Sequence, residues 1–322
     1  MATIQALAPR RVARAPASAR TRRKTIEFYL FIAPWLLGFV ALLIIPLAGG
    51  FATSLTNYDG LNLSNLKFLG AGNYVRAFND PDARFAMGRT LLWAGLNVPL
   101  WMVLSFGLAL ILNQNVRGRG FFRTLFYIPT IIPVVPMVWI WKIFLDQNVG
   151  LLNAIISIFR PGTAVPWLSQ YALVGLTAIA AFSGLGWGMV VFLAGLQDIP
   201  DELVEAAQID GASPWQVFGH ITLPLMTPVV FFVLILGVIG SFQQFVLPLL
   251  LGSGTQQLRF PPRDAYFYMV HVYQQLFSNQ RFGYGTALLW LLFAVILALT
   301  LLLFKSQRYW VYTEAGTEEN RP

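Results

Sequence analysis

The sequence predicts an all-α membrane protein with six transmembrane helices. The first indication is composition, because 57% of the 322 residues are hydrophobic, only 11% are charged, and the mean hydropathy is +0.62. Soluble domains carry about 25% charged residues, so this chain cannot cover a water-facing surface, and disorder would need low hydrophobicity. The second indication is the grouping of the charges, which leaves six long windows without any: 28–58, 90–116, 124–141, 161–197, 211–258 and 282–304.

Each window can hold one membrane span. A charge at the bilayer centre costs at least about 2.5 kcal/mol, and a helix needs about 20 apolar residues to cross the hydrocarbon. The runs are too long and too uniformly apolar for the strands of an outer-membrane barrel, and the first is too long for a signal peptide. The predicted spans lie near 28–52, 88–113, 122–145, 170–196, 227–251 and 283–306. Three prolines, Pro129, Pro133 and Pro136, predict that the third span is bent.

The basic residues predict the orientation of the spans. Seven of the 22 Lys and Arg residues lie in the first 24 positions, and further groups follow spans two and six. Short basic segments stay in the cytoplasm, so both termini are expected there. The basic N-terminus could instead be a nucleic-acid arm or a transit peptide, but a membrane domain follows it. The predicted organisation is a disordered tail at 1–26, a six-span domain at 27–308 and a C-terminal tail at 309–322.

Residue types that carry catalysis or bind metals are scarce. The chain has no cysteine, and its two histidines, His220 and His271, are far apart in sequence. We therefore expect no thiol nucleophile, no metal site and no cofactor.

The informative segment is 197–228, between spans four and five on the predicted cytoplasmic side. Asp201 is expected to cap a first helix, and Gly211 is expected to end it in a left-handed conformation. Ser213 begins a second helix, which Pro224 and Pro228 are expected to end. The segment contains five acids and no Lys or Arg: Asp198, Asp201, Glu202, Glu205 and Asp210.

This acidic helix–turn–helix is suited to contact with a partner. Its carboxylates could pair with Arg or Lys of another protein, and Trp215 or Phe218 could anchor in a pocket. The alternative is a solvated amphipathic connector. Residue chemistry alone does not choose between them.

The same segment resembles a known family. Glu205-Ala206-Ala207, Gly211 and Ile221-x-Leu223-Pro224 match the E-A-A-x3-G-x9-I-x-L-P signature of permease subunits of bacterial ATP-binding-cassette (ABC) importers, and Asp210-Gly211-Ala212 matches the form common in their carbohydrate branch (maltose and glycerol-3-phosphate type). Further segments similar to sugar permeases are 68–74, 118–129, 139–153, 193–200 and 310–312.

The resemblance implies a multi-pass permease of the bacterial inner membrane that forms half of a translocation pathway. Its implied partners are a second permease subunit, two cytosolic ATPase subunits and an external solute-binding protein. The chain itself contains no G-x4-G-K-[ST] phosphate loop, so ATP hydrolysis is expected on another chain, and no enzyme activity or nucleic-acid partner is expected here. The residues implied in ATPase coupling are Glu205, Ala206, Ala207, Asp210, Gly211, Trp215, Phe218, Leu223 and Pro224.

Span five carries a candidate solute site. Ser241, Phe242, Gln243 and Gln244 combine amides with an aromatic ring, which suits a sugar, although amides also join helices. Gln243 and Gln244 are expected near the middle of a helix, about 100° apart, so that only one faces the pathway. Ser183 and Trp187 in span four are further candidates.

Two other functions were weighed. An ion-gradient-driven secondary transporter would need buried acids or histidines in mid-membrane, and the predicted spans contain none there. An intramembrane enzyme would need a nucleophile with a base or a metal cluster.

Overall fold

The computed structural model describes residues 19–61, 64, 66–114, 117–252 and 261–312, and most of these residues are helical. The chain divides into two compact units, Met1–Ala52 and Thr53–Pro322. Five helices are long and apolar enough to cross a membrane, and a bent helix pair makes a sixth if it counts as one span. The prediction of an all-α membrane protein with six spans is confirmed.

The first candidate span, Ile26–Ser54, is one continuous helix with a wide turn inside it. The wide turn lies just before Pro46, which has no N–H to donate in a regular helix. The helix begins at Ala19, inside the stretch predicted as a disordered tail, and residues 1–18 lie outside the described residues. Its parts are α1 (Ala19–Phe39), a π-helical turn (Val40–Ile44) and α2 (Ile45–Ser54).

The second and fourth spans pack along each other. They are α4 (Pro81–Asn113), preceded by the short α3 (Gly72–Asn79), and α8 (Ala172–Gln197). Close approach depends on glycines of α8, since a Cβ at Gly188 would lie 2.5 Å from Ser105 Oγ of α4.

The third span is bent, as its prolines predicted. It consists of α5 (Arg119–Ile131) and α6 (Val134–Phe144), which meet at an angle of 100°. Pro133 lies in the break, where it cannot donate a backbone hydrogen bond. A short helix, α7 (Leu151–Phe159), follows before α8 begins.

The region of span five differs from the prediction at both ends. The helix does not stop at Pro224 and Pro228 but runs without interruption from Pro214 to Phe242. A π-helical turn just before Pro224 widens the helix, where the proline ring would otherwise meet the carbonyl four residues back. The elements are α9 (Asp201–Ile209), α10 (Pro214–Val217), the π-helical turn (Phe218–Thr222), α11 (Leu223–Phe242) and α12 (Val246–Gly252).

The last part of the chain adds an element that the sequence did not predict. Between α12 and the final span, α14 (Phe282–Gln307), lie a 3-10 turn (Arg263–Ala265), the short α13 (Tyr268–Tyr273) and a π-helical turn (Gln274–Ser278). The short α13 packs on both α4 and α14.

Three buried clusters all include α4, which is therefore the central helix of the second unit. One cluster joins α4 to α8 and α12 through Trp93 and Leu176. Another joins α4 to α13 and α14 through Ala94 and Tyr268. The third joins α4 to α8 and α11 around Trp101. A cavity lies against the face of α4 where these three clusters meet.

Candidate functional site

The acidic segment begins with α9, whose start differs in detail from the prediction. Pro200 occupies the N-cap position, no side chain caps the helix, and Asp201 is its first residue, so the predicted cap is wrong. The carboxylates of Asp201 and Glu202 still lie in the first turn, where the helix dipole favours negative charge.

The end of α9 is the predicted glycine stop. Gly211 has φ +84, and the amide of Ala212 donates to Ala207 O at 2.9 Å, which is the six-to-one bond of a Schellman motif. A Cβ at Gly211 would have nothing within 4 Å, so conformation rather than space favours glycine here. The chain restarts with Ser213, whose amide donates to Gln216 Oε1 at 2.7 Å, and with Pro214 at the first helical position.

The acidic segment presents most of its candidate coupling residues to solvent. Glu205, Ala206 and Asp210 are exposed, and Ala207 is half-buried. The most exposed apolar side chains of the segment are Ile209 at 86% and Trp215 at 81%, and exposed apolar side chains that lie near each other can mark a contact site.

The second half of the segment makes contacts to the rest of the unit. Phe218 is half-buried, with its ring centroid 6.2 Å from those of Phe106 and Trp215. Leu223 is exposed and Pro224 is half-buried at the start of α11. A cavity of about 440 Å³ lies beside Trp215 and Phe218, between this segment and the end of α4. The continuous helix from Pro214 to Phe242 therefore carries Trp215, Phe218, Leu223 and Pro224. The other candidates lie on α9 and in the turn that follows it: Glu205, Ala206, Ala207, Asp210 and Gly211.

A second cavity, of about 390 Å³, lies among α4, the bend of the third span, α8, α11 and α12. Of the predicted pathway residues, it brings together Ser183, Ser241 and Gln244. Three predicted residues are not in its lining: Gln243 is exposed, Phe242 is buried in the cluster with Ala94, and Trp187 stacks on Trp101 with 5.8 Å between ring centroids.

Span five does not place the two glutamines on a helix. The helix α11 ends at Phe242, Gln243 is its C-cap, and the chain is irregular through Phe245. Pro248 accounts for the break, because it has no N–H to donate to the carbonyl of Gln244 as a continuous helix would require. The predicted angle of about 100° between the two side chains therefore does not apply, because it assumes a regular helix. The two side chains still differ in their surroundings, since only Gln244 lines the cavity.

The helix α4 contributes a polar wall to the cavity that the sequence did not predict. Trp93, Asn97 and Trp101 line the cavity at a spacing of four residues, hence along one face of the helix. Within the described residues, Trp93 Nε1, Trp101 Nε1 and Asn97 Oδ1 are buried without a hydrogen-bond partner. An amide flanked by two tryptophans at helical spacing, inside a charge-free window, was a signal that could have been found.

Neighbouring groups hold this polar wall in place. A Cβ at Gly184 would lie 2.9 Å from Trp101 Nε1, and one at Gly237 would lie 3.1 Å from the same ring. The hydroxyl of Thr130 donates to Ser183 O at 3.0 Å, which joins the bend of the third span to α8. The cavity thus offers two indole donors and an amide acceptor, which a hydroxylated ligand could satisfy.

At the N-terminal end of α4 lies a set of buried and half-buried polar groups, which we call the Asp80 network: Asp80, Tyr266, His271, Gln274 and Tyr284. Asp80 Oδ1 accepts from the amides of Asp82 (2.9 Å) and Ala83 (3.2 Å) and so caps α4. Its Oδ2 accepts from the Tyr284 hydroxyl at 2.7 Å. Burial would raise the pKa of Asp80, but these hydrogen bonds outweigh burial and hold the pKa below its ordinary value.

His271 connects this carboxylate to α13 and the π-helical turn. The Tyr266 hydroxyl donates to Gln274 Oε1, so it accepts at 2.9 Å from His271 Nδ1, which assigns the ring proton to Nδ1. With the proton on Nδ1, His271 Nε2 has no proton to donate to Asp80 Oδ2, which lies 3.7 Å away. Burial lowers the pKa of His271 although the nearby Asp80 carboxylate opposes it, so the surroundings favour the neutral ring.

Comparison with known proteins identifies the class. The chain matches the family described as binding-protein-dependent transport system inner membrane component over residues 102–311. It is 30% identical to the probable ABC transporter permease protein YesP of Bacillus subtilis, over 94% of this chain and 96% of that protein. It is 31% identical to the trehalose/maltose permease protein MalF of Thermococcus litoralis, over 87% of this chain and 93% of that protein.

A solved structure shares the fold. A chain of the bacterial alginate ABC transporter, in complex with an alginate-bound periplasmic protein, superimposes with a TM-score of 0.74 at 22% identity, over 91% of this chain and 98% of that chain. The protein therefore belongs to the family of inner-membrane permease components of binding-protein-dependent transport systems.

Proposed function

We propose that this chain forms half of the translocation pathway of an ABC importer and receives the motion of its ATPase subunits through residues 198–224. The observation that carries the proposal is the continuous helix from Pro214 to Phe242. Its first turns belong to the exposed acidic segment, and its last turns supply Gly237, Gly240 and Ser241 to the wall of the 390 Å³ cavity. Displacement of the segment therefore moves the cavity wall.

The partners in this proposal follow the family. A second permease completes the pathway, two cytosolic ATPase subunits contact the acidic segments, and an external binding protein delivers the solute. The exposed carboxylates of Glu205 and Asp210 favour a basic surface on the ATPase, and Trp215 supplies an apolar anchor. This arrangement requires both termini in the cytoplasm, with a cytoplasm-dependent reporter active when fused after residue 322.

The solute in this proposal is a saccharide. Relatives include the trehalose/maltose permease and the arabinooligosaccharide permease AraP of Bacillus subtilis, which is 30% identical over 86% of this chain. The two indole N–H groups and the Asn97 carbonyl are suited to sugar hydroxyls, and the indole rings are suited to the C–H faces of a sugar.

A charge-reversal variant tests the coupling surface. Glu205→Lys should abolish retention of the co-expressed ATPase by the tagged chain, because it places like charge against a basic surface. Glu205→Gln is the matched control, since it keeps the shape and removes only the charge, and it should retain an intermediate amount. Undiminished retention by Glu205→Lys would contradict the charge argument while leaving the membership of the family intact.

A further inference from the structure

The short helix α7 lies between the third and fourth spans and is not itself a span. Its nine residues extend about 13 Å, less than half of the hydrocarbon thickness. Its sequence, LLNAIISIF, is nevertheless as apolar as that of a span, with Asn153 and Ser157 as its polar residues. A helix of this kind needs an apolar environment on the sides that the protein does not cover.

On the inward face of α7, Leu152 packs against the buried cluster that includes Trp93, and Asn153 makes the hydrogen bonds. Asn153 is buried and its Nδ2 donates to the carbonyls of Asp146 (3.3 Å), Gln147 (3.0 Å) and Val165 (2.9 Å). Its Oδ1 accepts from the Trp167 indole at 3.0 Å. These bonds fix which face of α7 points into the protein.

The opposite face is aliphatic and uncovered. Leu151, Ile155 and Ile158, at positions i, i+4 and i+7, form one stripe and are 56%, 44% and 75% exposed. Val149 before the helix and Phe159 at its end are each 81% exposed. This stripe is a contiguous apolar surface of the kind that marks a contact site.

The hydrogen bond between Trp167 and Asn153 also indicates how deep α7 lies in the membrane. Trp167, which donates to Asn153, lies five residues before the start of α8 and forms a ring pair with Tyr171. Trp and Tyr are enriched where a membrane span leaves the hydrocarbon. Tyr171 and Val174, at the start of α8, are exposed as well, at 49% and 54%.

We propose that α7 lies in the plane of the bilayer, with its Leu151–Ile155–Ile158 stripe at the boundary between acyl chains and headgroups. Arg160, exposed directly after the helix, is placed to contact lipid phosphate. The stripe contains no polar atom to specify a protein partner, whereas protein interfaces carry about one hydrogen bond per 100–200 Å². The next helix along the chain, α8, is a candidate membrane span. The leaflet is the one on the side where α8 begins.

The absence of cysteine from the sequence allows a direct test. A nitroxide label on Ile158→Cys, in the full chain reconstituted into phosphatidylcholine vesicles with a minor fraction of phosphatidylglycerol, should collide readily with oxygen and poorly with a water-soluble nickel chelate. Ile209→Cys is the matched control, since Ile209 is also a strongly exposed isoleucine at 86% but lies on the acidic segment. A label at this position should collide readily with the nickel chelate and poorly with oxygen.

Two outcomes would overturn the proposal. A label on Ile158→Cys that is open to the nickel chelate places α7 in water, and a label shielded from both reagents places it against a protein. The phosphate contact is tested with the same label in Arg160→Gln. Phosphatidylglycerol should increase the depth of the label in the parent, and this increase should be severalfold smaller in the Arg160→Gln variant. An equal increase in both would show that Arg160 does not contact lipid phosphate.

Discussion

The acidic segment and the Asp80 network are two polar regions of the described residues, and they are built in opposite ways. In residues 198–224 the carboxylates are exposed and the conformation is set by neighbours in sequence, such as the bond between Ser213 and Gln216. In the Asp80 network the groups are buried or half-buried, and the bond between Tyr284 and Asp80 joins residues 204 positions apart. The acidic segment exposes its charges to solvent, and the Asp80 network uses its charge in hydrogen bonds within the chain.

The difference in the exposure of their charges indicates what each region is able to do. Exposed charges contribute little to the stability of the chain that carries them, so they are available for binding. A buried carboxylate that caps a helix and accepts a tyrosine hydroxyl stabilises the chain and resists change. The cavity lies along α4 between the two regions. We therefore expect variants of the acidic segment to act on coupling, variants of the cavity on solute, and variants of the Asp80 network on stability.

The largest effect is expected at Gly211. Gly211→Pro should abolish uptake, because proline holds φ near −65° and Gly211 has φ +84. Gly211→Asn is the matched control, since asparagine tolerates the left-handed conformation, and it should retain most uptake. Uptake of labelled solute and membrane yield should be measured together. Equal loss in both variants would show that side-chain volume, rather than conformation, matters here.

The next effect is expected at Asn97. Asn97→Leu should lower solute uptake roughly tenfold, the equivalent of one hydrogen bond of about 1–1.5 kcal/mol. The thermal unfolding midpoint of the variant should not fall, because the side-chain carbonyl that is replaced has no hydrogen-bond partner within the described part of the chain. A fall in both uptake and midpoint would indicate that Asn97 supports the helices rather than the solute.

A smaller effect should separate the two glutamines. Gln244→Ala should reduce uptake severalfold, because Gln244 lines the cavity, and Gln243→Ala should leave it unchanged, because Gln243 is exposed beside the break. Retention of the ATPase should be normal in both. If neither variant alters uptake, this part of the chain does not contact the solute, whereas the assignment to the family stands.

The smallest effect is the pH dependence of the Asp80 network. The folded pKa of His271 lies below its unfolded value of 6.5, so the unfolded chain binds more protons between the two values. The contribution of His271 to stability is therefore complete above pH 6.5 and declines as pH falls through this window. The thermal midpoint should be a few degrees lower at pH 5.5 than at pH 7.5, and His271→Asn should lessen the difference. An unchanged difference in the variant would assign the pH dependence to other groups.

The sequence by itself determined the membrane class, the number of spans, the bend of the third span and the positive φ of Gly211. These features depend on hydropathy over about 20 residues or on the conformational limits of proline and glycine, which act within one or two helical turns. The family signature in 205–224 is local in the same way.

Only the tertiary structure decided the cavity and the Asp80 network. Asn97 and the two tryptophans beside it have the composition of ordinary packing residues, and their unpaired atoms appear only when α8, α11 and α12 close around α4. The continuous helix through Pro224 and the break at Gln243 also required the structure, because proline permits either a widened turn or a stop, and the surrounding helices select between them.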